Sequence, residues 1–263
     1  MNVSGKRVLL TGATGGLGHA IARQLAAAGA HVILSGRRGD VLADLAREIS
    51  GDVAAADLTD RAAVRELAAA HTDVAIFISN AGLSASGLID TWSEDQIDRA
   101  LDVNLRAAII LARTLVPHMV ARREGHVVFM SSLAGKSPTA GSSLYNATKF
   151  GLRGFAGAMR AELHGTGVGV SALFPGFIRD AGMFHVTGVK LPFGVGTKSP
   201  RQVAQATLKA IERNKAELDV APVGLRLGAL IGPMAPDIAA AVSRRSGGDE
   251  IAKAHEDAHM VNR

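Results

Sequence analysis

Arg7-Val8-Leu9-Leu10-Thr11-Gly12-Ala13-Thr14-Gly15-Gly16-Leu17-Gly18 is a short apolar run that closes on a cluster of glycines, and a helical pattern over 16–29 follows directly. Glycines permit a tight turn and a close approach of backbone to a ligand. The start of a helix presents unpaired N–H groups and a positive dipole end to an anion such as a pyrophosphate. The glycines at 12, 16 and 18 are spaced G-x-x-x-G-x-G rather than G-x-G-x-x-G. A glycine-rich turn alone also suits an ordinary tight turn; its place between a first strand and a first helix favours a dinucleotide. The candidate residues are Gly12, Thr14, Gly15, Gly16, Leu17 and Gly18.

Outward from this turn, short β-rich runs alternate with longer segments of helical period, the pattern of a parallel sheet covered on both faces. Strands are expected at Arg7–Gly12, His31–Gly36, Asp52–Leu58, Asp73–Ala81, Gly125–Ser132, Val168–Pro175 and Glu217–Val223. Helices are expected at 16–29, 39–50, 60–71, 93–122 (as two helices), 143–164 and 199–214. No Pro/Gly/Ser-rich linker divides the chain, so 1–263 is expected to be one α/β domain, a doubly wound Rossmann-type fold with a seven-stranded, mostly parallel sheet. Two regions break the rhythm. The Gly-rich connection 177–199 carries Met183, Phe184, Val186, Leu191, Phe193 and Val195, which suits a lid over substrate. After Val223 an apolar segment leads into a polar tail, 246–263. That segment is expected to cover substrate or pack between subunits rather than enter a membrane, because Pro233 and Pro236 interrupt any long helix.

Composition removes several chemistries. Among 263 residues there is no cysteine, which excludes disulfides, thiol nucleophiles and Cys-based metal centres. There is one tryptophan, Trp92, and one tyrosine, so any phenol chemistry must use Tyr145. The formal net charge of +5 is spread along the chain without a basic block, and aromatics make up only 4%, so nucleic acid is not an expected partner. The N-terminus runs straight into a strand, too compressed for a signal peptide, and no apolar run approaches 18 residues. A soluble cytoplasmic protein without stable membrane insertion is expected.

The second strand ends Leu34-Ser35-Gly36-Arg37-Arg38. In nicotinamide-binding sheets an acidic residue about 20 positions beyond the first glycines bonds the ribose 2′-hydroxyl. Gly36 stands there instead, and the cations Arg37 and Arg38 suit a 2′-phosphate. NADP(H) is therefore expected as the preferred cofactor, with NAD(H) as the alternative.

Ser131-Ser132-Leu133-Ala134-Gly135 closes the fifth strand, and Tyr145-Asn146-Ala147-Thr148-Lys149 opens the helix after it. Tyr145 and Lys149, four apart, share one helical face. A free phenol titrates near 10, and lowering it to ~7 needs about 4 kcal/mol of differential stabilisation of the phenolate. A neighbouring ammonium supplies part of that, and an oxidised nicotinamide ring adds more, which would make Tyr145 a usable general acid and base.

With these residues in order, the sequence resembles a classical short-chain dehydrogenase/reductase. The resemblance runs through Thr-Gly-x-x-x-Gly-x-Gly at 11–18, Asn80-Ala81-Gly82, Asn104 in Asp-Val-Asn-Leu, Ser132, Tyr-x-x-x-Lys at 145–149 and Pro175-Gly176. It implies that Tyr145 donates a proton to a carbonyl while Ser132 bonds its oxygen. It also implies that Lys149 binds the nicotinamide ribose and depresses the phenol pKa, and that Asn104 helps hold a proton relay. Asp57 and Leu58 would flank the adenine, with Asn80, Ala81 and Gly82 beside the cofactor. The family commonly has a Thr after Pro-Gly that contacts the nicotinamide carboxamide; here Asp180 takes that place, leaving the backbone of Ile178 for the contact. The implied reaction is hydride transfer between nicotinamide and a carbonyl or secondary alcohol. The apolar lid points to a lipophilic ketone, oxoacyl chain or steroid-like ring ketone. A non-catalytic, cofactor-sensing protein on the same fold is the alternative. The resemblance further suggests a homotetramer or homodimer built through helices around 103–122 and 143–164. His255-Glu256-Asp257-Ala258-His259 matches a zinc-protease pattern, but it sits in the polar tail without a nearby third ligand, so no metal is expected.

Overall fold

The computed structural model describes residues 1–181, 196–235 and 237. Seven strands form one sheet: β1 Arg7–Thr11, β2 His31–Ser35, β3 Asp52–Val53, β4 Ile76–Ser79, β5 Gly125–Met130, β6 Val168–Pro175 and β7 Glu217–Val220. Their order across the sheet is β3-β2-β1-β4-β5-β6-β7, and every strand pair is parallel. Parallel strands need crossovers, supplied by α1 Gly16–Ala27, α2 Gly39–Ile49, α3 Arg61–Ala70, α4 Glu94–Leu101 with α5 Ala107–Arg122, α6 Ser143–Glu162 and α7 Pro200–Glu212. A further helix, α8 Val223–Ile231, follows β7.

Local chemistry sets several helix starts. Asp60 accepts from the N–H groups of Ala62 and Ala63 ahead of α3. Ser93 with Gln96 and Ser199 with Gln202 form reciprocal capping boxes at α4 and α7, and Pro200 occupies the first turn of α7. Because successive strand residues point to opposite faces, Leu10, Ile78, Val128 and Leu173 pack under α1, α2 and α7, while Leu9, Phe77, Val127 and Phe129 pack under α3, α5 and α6. Every residue of β5 and β6 is buried, so the centre of the sheet is rigid. The strand order reverses between β1 and β4, and the carboxyl ends of these two strands open the crevice where such sheets bind ligands.

Three expectations need adjustment. β3 is only two residues long; beyond it, Ala54 and Ala56 still donate to Leu34 and Gly36, but the run stands at the sheet edge, with no further strand to pair among the described residues. The expected break within 93–122 is a continuous join: α4 passes into α5 through a π-helical turn, Asp102–Arg106, whose following residue Ala107 donates back to Asp102. The resulting rod, Glu94–Arg122, is long and apolar enough to cross a membrane by length and composition, yet its Ala108, Leu111, Leu115 and Met119 are buried in the core. The sequence after Val223 forms α8, which exposes Val223, Leu227, Leu230 and Ile231. The greater part of the expected lid, 182–195, and the tail with His255-Glu256-Asp257-Ala258-His259 lie outside the described residues.

Candidate active site

The turn after β1 is built from close backbone contact. Gly12 sits at φ +66°, and a Cβ there would stand 2.7 Å from the Cα of Ala81, so only glycine lets the β1 and β4 tips approach this closely. Asn80 locks the pair: its Nδ2 donates to the carbonyls of Thr11 and Gly12, each at 3.1 Å, and its buried Oδ1 has no partner among the described residues. Ala81 donates its N–H to the Thr11 hydroxyl at 3.3 Å, and Gly82 follows on the same tip. Gly15 precedes α1 with no side-chain cap and no acidic residue in the first turn, which leaves the N–H groups around Gly16, Leu17 and Gly18 to an anion. Beside this turn, Arg38 donates to the Thr14 carbonyl at 2.5 Å, and Arg37 is exposed. Across the crevice, Asp57 accepts from the N–H and hydroxyl of Thr59, each at 2.9 Å, and Leu58 is buried. The orphaned Asn80 oxygen, the uncapped helix start and the two cations fit a phosphorylated dinucleotide.

The second half of the site is made from buried polar side chains. Lys149 is 3% exposed; its ammonium donates to the Met130 carbonyl at 2.9 Å, while the Ser131 hydroxyl donates to the Lys149 carbonyl at 2.9 Å. These two bonds pin α6 to the tip of β5. Gly135 completes the fit, since a Cβ there would lie 2.6 Å from that same carbonyl oxygen. Ser132 opens the 3-10 turn Leu133–Gly135, accepting from the Ala134 N–H and donating to the Pro175 carbonyl at 3.4 Å. Its hydroxyl stands beside the Tyr145 phenol, where it acts to lower the phenol pKa. Tyr145 is half-buried against Ala85, Ala100 and Leu144, with the Lys149 ammonium 5.5 Å from its ring centre.

Electrostatics depart from the simple expectation. Burial pushes the Tyr145 phenol up to about 12 and outweighs the Ser132 hydroxyl, which acts to lower it. Burial also pulls Lys149 down to about 8. The expectation counted the ammonium's attraction and left out the cost of charging either group inside the protein. The chain's own groups therefore hold the Tyr145 phenol in its neutral form.

Asn104 lies within the π turn and is 1% exposed. Its side chain accepts from the Leu83 N–H at 2.6 Å, donates to the Leu83 carbonyl at 3.0 Å and reaches the Thr148 hydroxyl at 3.4 Å. It clasps the 83 loop to α6; among these contacts none reaches the phenol. Pro175 and Gly176 end β6, Gly176 donates to Val220 at 3.1 Å, and Ile178 is buried. Asp180 sits at φ +66°, paired with Arg179 at 3.4 Å and with its side chain 69% exposed. Two contributors escape sequence reasoning. Asn146 donates to the carbonyls of Ala134 and Ser137 and accepts from the Thr139 N–H, holding the stretch after Ser132. Lys136 ties that turn to β7. An Asn at the start of a helix is a visible signal, although its usual reading is a cap.

Residues 6–189 match the short chain dehydrogenase family. The chain belongs to that family. It is accordingly an NAD(P)-dependent oxidoreductase acting on CH–OH and C=O groups. This short chain dehydrogenase is 37% identical over 227 residues to the ketoacyl reductase HetN of Nostoc sp., covering 83% of this chain and 79% of that protein. It is 32% identical over 255 residues to dehydrogenase/reductase SDR family member 7B of Bos taurus, covering 88% of this chain and 78% of that one. Among solved structures, a short-chain dehydrogenase from Sphingobium yanoikuyae in complex with NADPH aligns with a TM-score of 0.77 at 27% identity, covering 89% of this chain and 95% of the other.

Proposed function

We propose that this dehydrogenase interconverts a lipophilic ketone or 3-oxoacyl compound and its secondary alcohol, with NADP(H) preferred over NAD(H). The observation that carries the reading is the grouping of Ser132, Tyr145 and Lys149: Ser132 follows the end of β5 beside the Tyr145 phenol, and the Lys149 ammonium, bonded to the Met130 carbonyl, lies 5.5 Å from the Tyr145 ring centre. Support for the ketoacyl class comes from HetN, and for NADP(H) from Arg37 and Arg38 together with the NADPH complex.

Bound nicotinamide supplies the hydride and, once oxidised, a positive charge beside the site. Gly12–Gly18 and the start of α1 would hold the pyrophosphate, Arg37 and Arg38 the 2′-phosphate, and Lys149 the nicotinamide ribose. Ser132 donates its hydroxyl hydrogen to the substrate oxygen, placing it within reach of the phenol. Tyr145 then gives up its proton to that oxygen, and Lys149 stabilises the phenolate that remains. In the oxidative direction the same phenolate removes the alcohol proton. Asn104 and Asn146 keep the 83 and 134–139 loops in place around these groups.

The protein is further proposed to work in the cytoplasm as a homo-oligomer joined through α5 and α6. On α6, Phe150 is 38% exposed, and Gly154 and Gly157 have open space around them, a small-residue face that a second copy can approach closely. Sedimentation velocity would detect that assembly. The activity itself is tested by following NADPH oxidation over a panel of ketones, 3-oxoacyl thioesters and aldehydes. Turnover of at least one apolar ketone with NADPH favoured over NADH is expected. Tight NADPH binding with no turnover of any carbonyl would favour the sensing alternative.

A further inference from the structure

Lys136 closes the turn that begins at Ser132, and the carbonyl chemistry above makes no use of it. Its backbone N–H donates to the Leu133 carbonyl at 2.9 Å, so whatever anchors its side chain also anchors the turn. Its side chain is 11% exposed, and the ammonium reaches two carboxylates of β7: Asp219 at 2.6 Å and Glu217 at 2.8 Å. It also lies 4.1 Å from the centre of the Phe174 ring, the residue before Pro175. Glu217 binds Arg153, one turn beyond Lys149 on α6, at 2.8 Å, and Asp219 faces Arg226 at 3.9 Å. The turn bearing Ser132 and the helix bearing Tyr145 are thus both tied to the same strand.

The Ser132 hydroxyl makes only long bonds to the neighbouring backbone, 3.2 Å from the Ala134 N–H and 3.4 Å to the Pro175 carbonyl, whereas the Ser132 carbonyl is held in the turn by the Gly135 N–H at 2.8 Å. Its placement must come from the turn as a whole. A mostly buried lysine shared by two carboxylates is a costly arrangement unless every partner is held in place, which makes it stiff. We propose that Lys136 is a positioning residue, setting the Ser132 hydroxyl against the Tyr145 phenol through Glu217 and Asp219. This rests on the reading of Ser132 and Tyr145 as the groups that act on the substrate carbonyl.

The single tyrosine makes a direct test available. Protein grown with tyrosine labelled at the ring carbon bearing oxygen gives one NMR resonance, whose position at neutral pH reports the phenol's hydrogen bond without any substrate. Ser132→Ala defines the displaced position. Lys136→Met is expected to shift the resonance in the same direction, the Ser132→Ala/Lys136→Met double variant to add nothing further, and Lys136→Arg to return it most of the way. On the fastest ketone, Lys136→Met should lower kcat about tenfold with the NADPH KM unchanged, the cost of a small misplacement. A Lys136→Met resonance at the wild-type position, or a double variant whose shift is the sum of the single ones, overturns the proposal. Should Lys136→Met not fold, Glu217→Gln with Asp219→Asn removes the same anchor in near-isosteric form and carries the same expectations. Undiminished turnover in Tyr145→Phe would dismiss the catalytic reading alone, because the resonance test does not depend on it.

Discussion

The two halves of the cleft are built from different materials. The nucleotide half, from β1 to β4, is mostly backbone: glycines, helix N–H groups and one locking amide, with its cations at the surface. The catalytic half, around β5 and α6, depends on polar side chains buried inside the protein: Lys149, Asn104, Asn146 and Thr148 are all under 9% exposed. A backbone cradle can lose a surface cation without structural consequence. A buried polar side chain serves the reaction and the fold together, so its removal disturbs both.

Lys149→Met probes that coupling most strongly. Loss of the ammonium should lower kcat by about 10²–10³ while leaving the nucleotide half intact. Stability should show a pH dependence of its own. The native chain holds the Lys149 proton less tightly than the unfolded chain, with a value of about 8 against 10.5, so the charged group costs native stability at neutral pH. Relative to the variant, which also loses the bond to the Met130 carbonyl, the wild type should gain stability as pH rises from about 8 to 10.5, where the native lysine becomes neutral first. Thermal melts across that range would show it; an unchanged gap would mean that the lysine is not electrostatically strained.

Asn146→Ala comes next. It leaves the carbonyls of Ala134 and Ser137 and the Thr139 N–H without their partner, a loss of about 2 kcal/mol that urea unfolding can measure, together with a fall in kcat. On the other side of the comparison, Arg37→Ala and Arg38→Ala should raise the NADPH KM about tenfold each, leave the NADH KM nearly unchanged and barely alter unfolding. A large stability loss in either would show that the nucleotide half is not the backbone cradle described.

The same division decides what could be read in the sequence. Glycine spacing and apolar runs report backbone geometry, so the turn at 12–18 and the sheet were legible, and β6 falls at the bounds expected, Val168–Pro175. The Tyr145–Lys149 pair was legible too, because one helical turn fixes its face. Tertiary effects were not. β3 stops early because its far side has no strand to pair with among the described residues. The π turn at Asp102–Arg106 sits where Asn104 grips the backbone of Leu83, 21 residues away in sequence, a partner no local pattern announces. The direction of the Tyr145 shift depends on burial by Ala85, Ala100 and Leu144, which the spacing of Tyr145 and Lys149 does not contain. Lys136 looks like an ordinary loop lysine until β7 brings Glu217 and Asp219 to it.

The central claim is that the one phenol of this chain carries the proton of the carbonyl reaction. Single-turnover oxidation of bound NADPH by the best ketone, compared between wild type and Tyr145→Phe, tests it most directly, with NADPH affinity measured alongside. A rate lower by about 10²–10⁴ at unchanged NADPH affinity is expected. A Tyr145→Phe rate within about threefold of wild type, too small for a lost general acid, would contradict it.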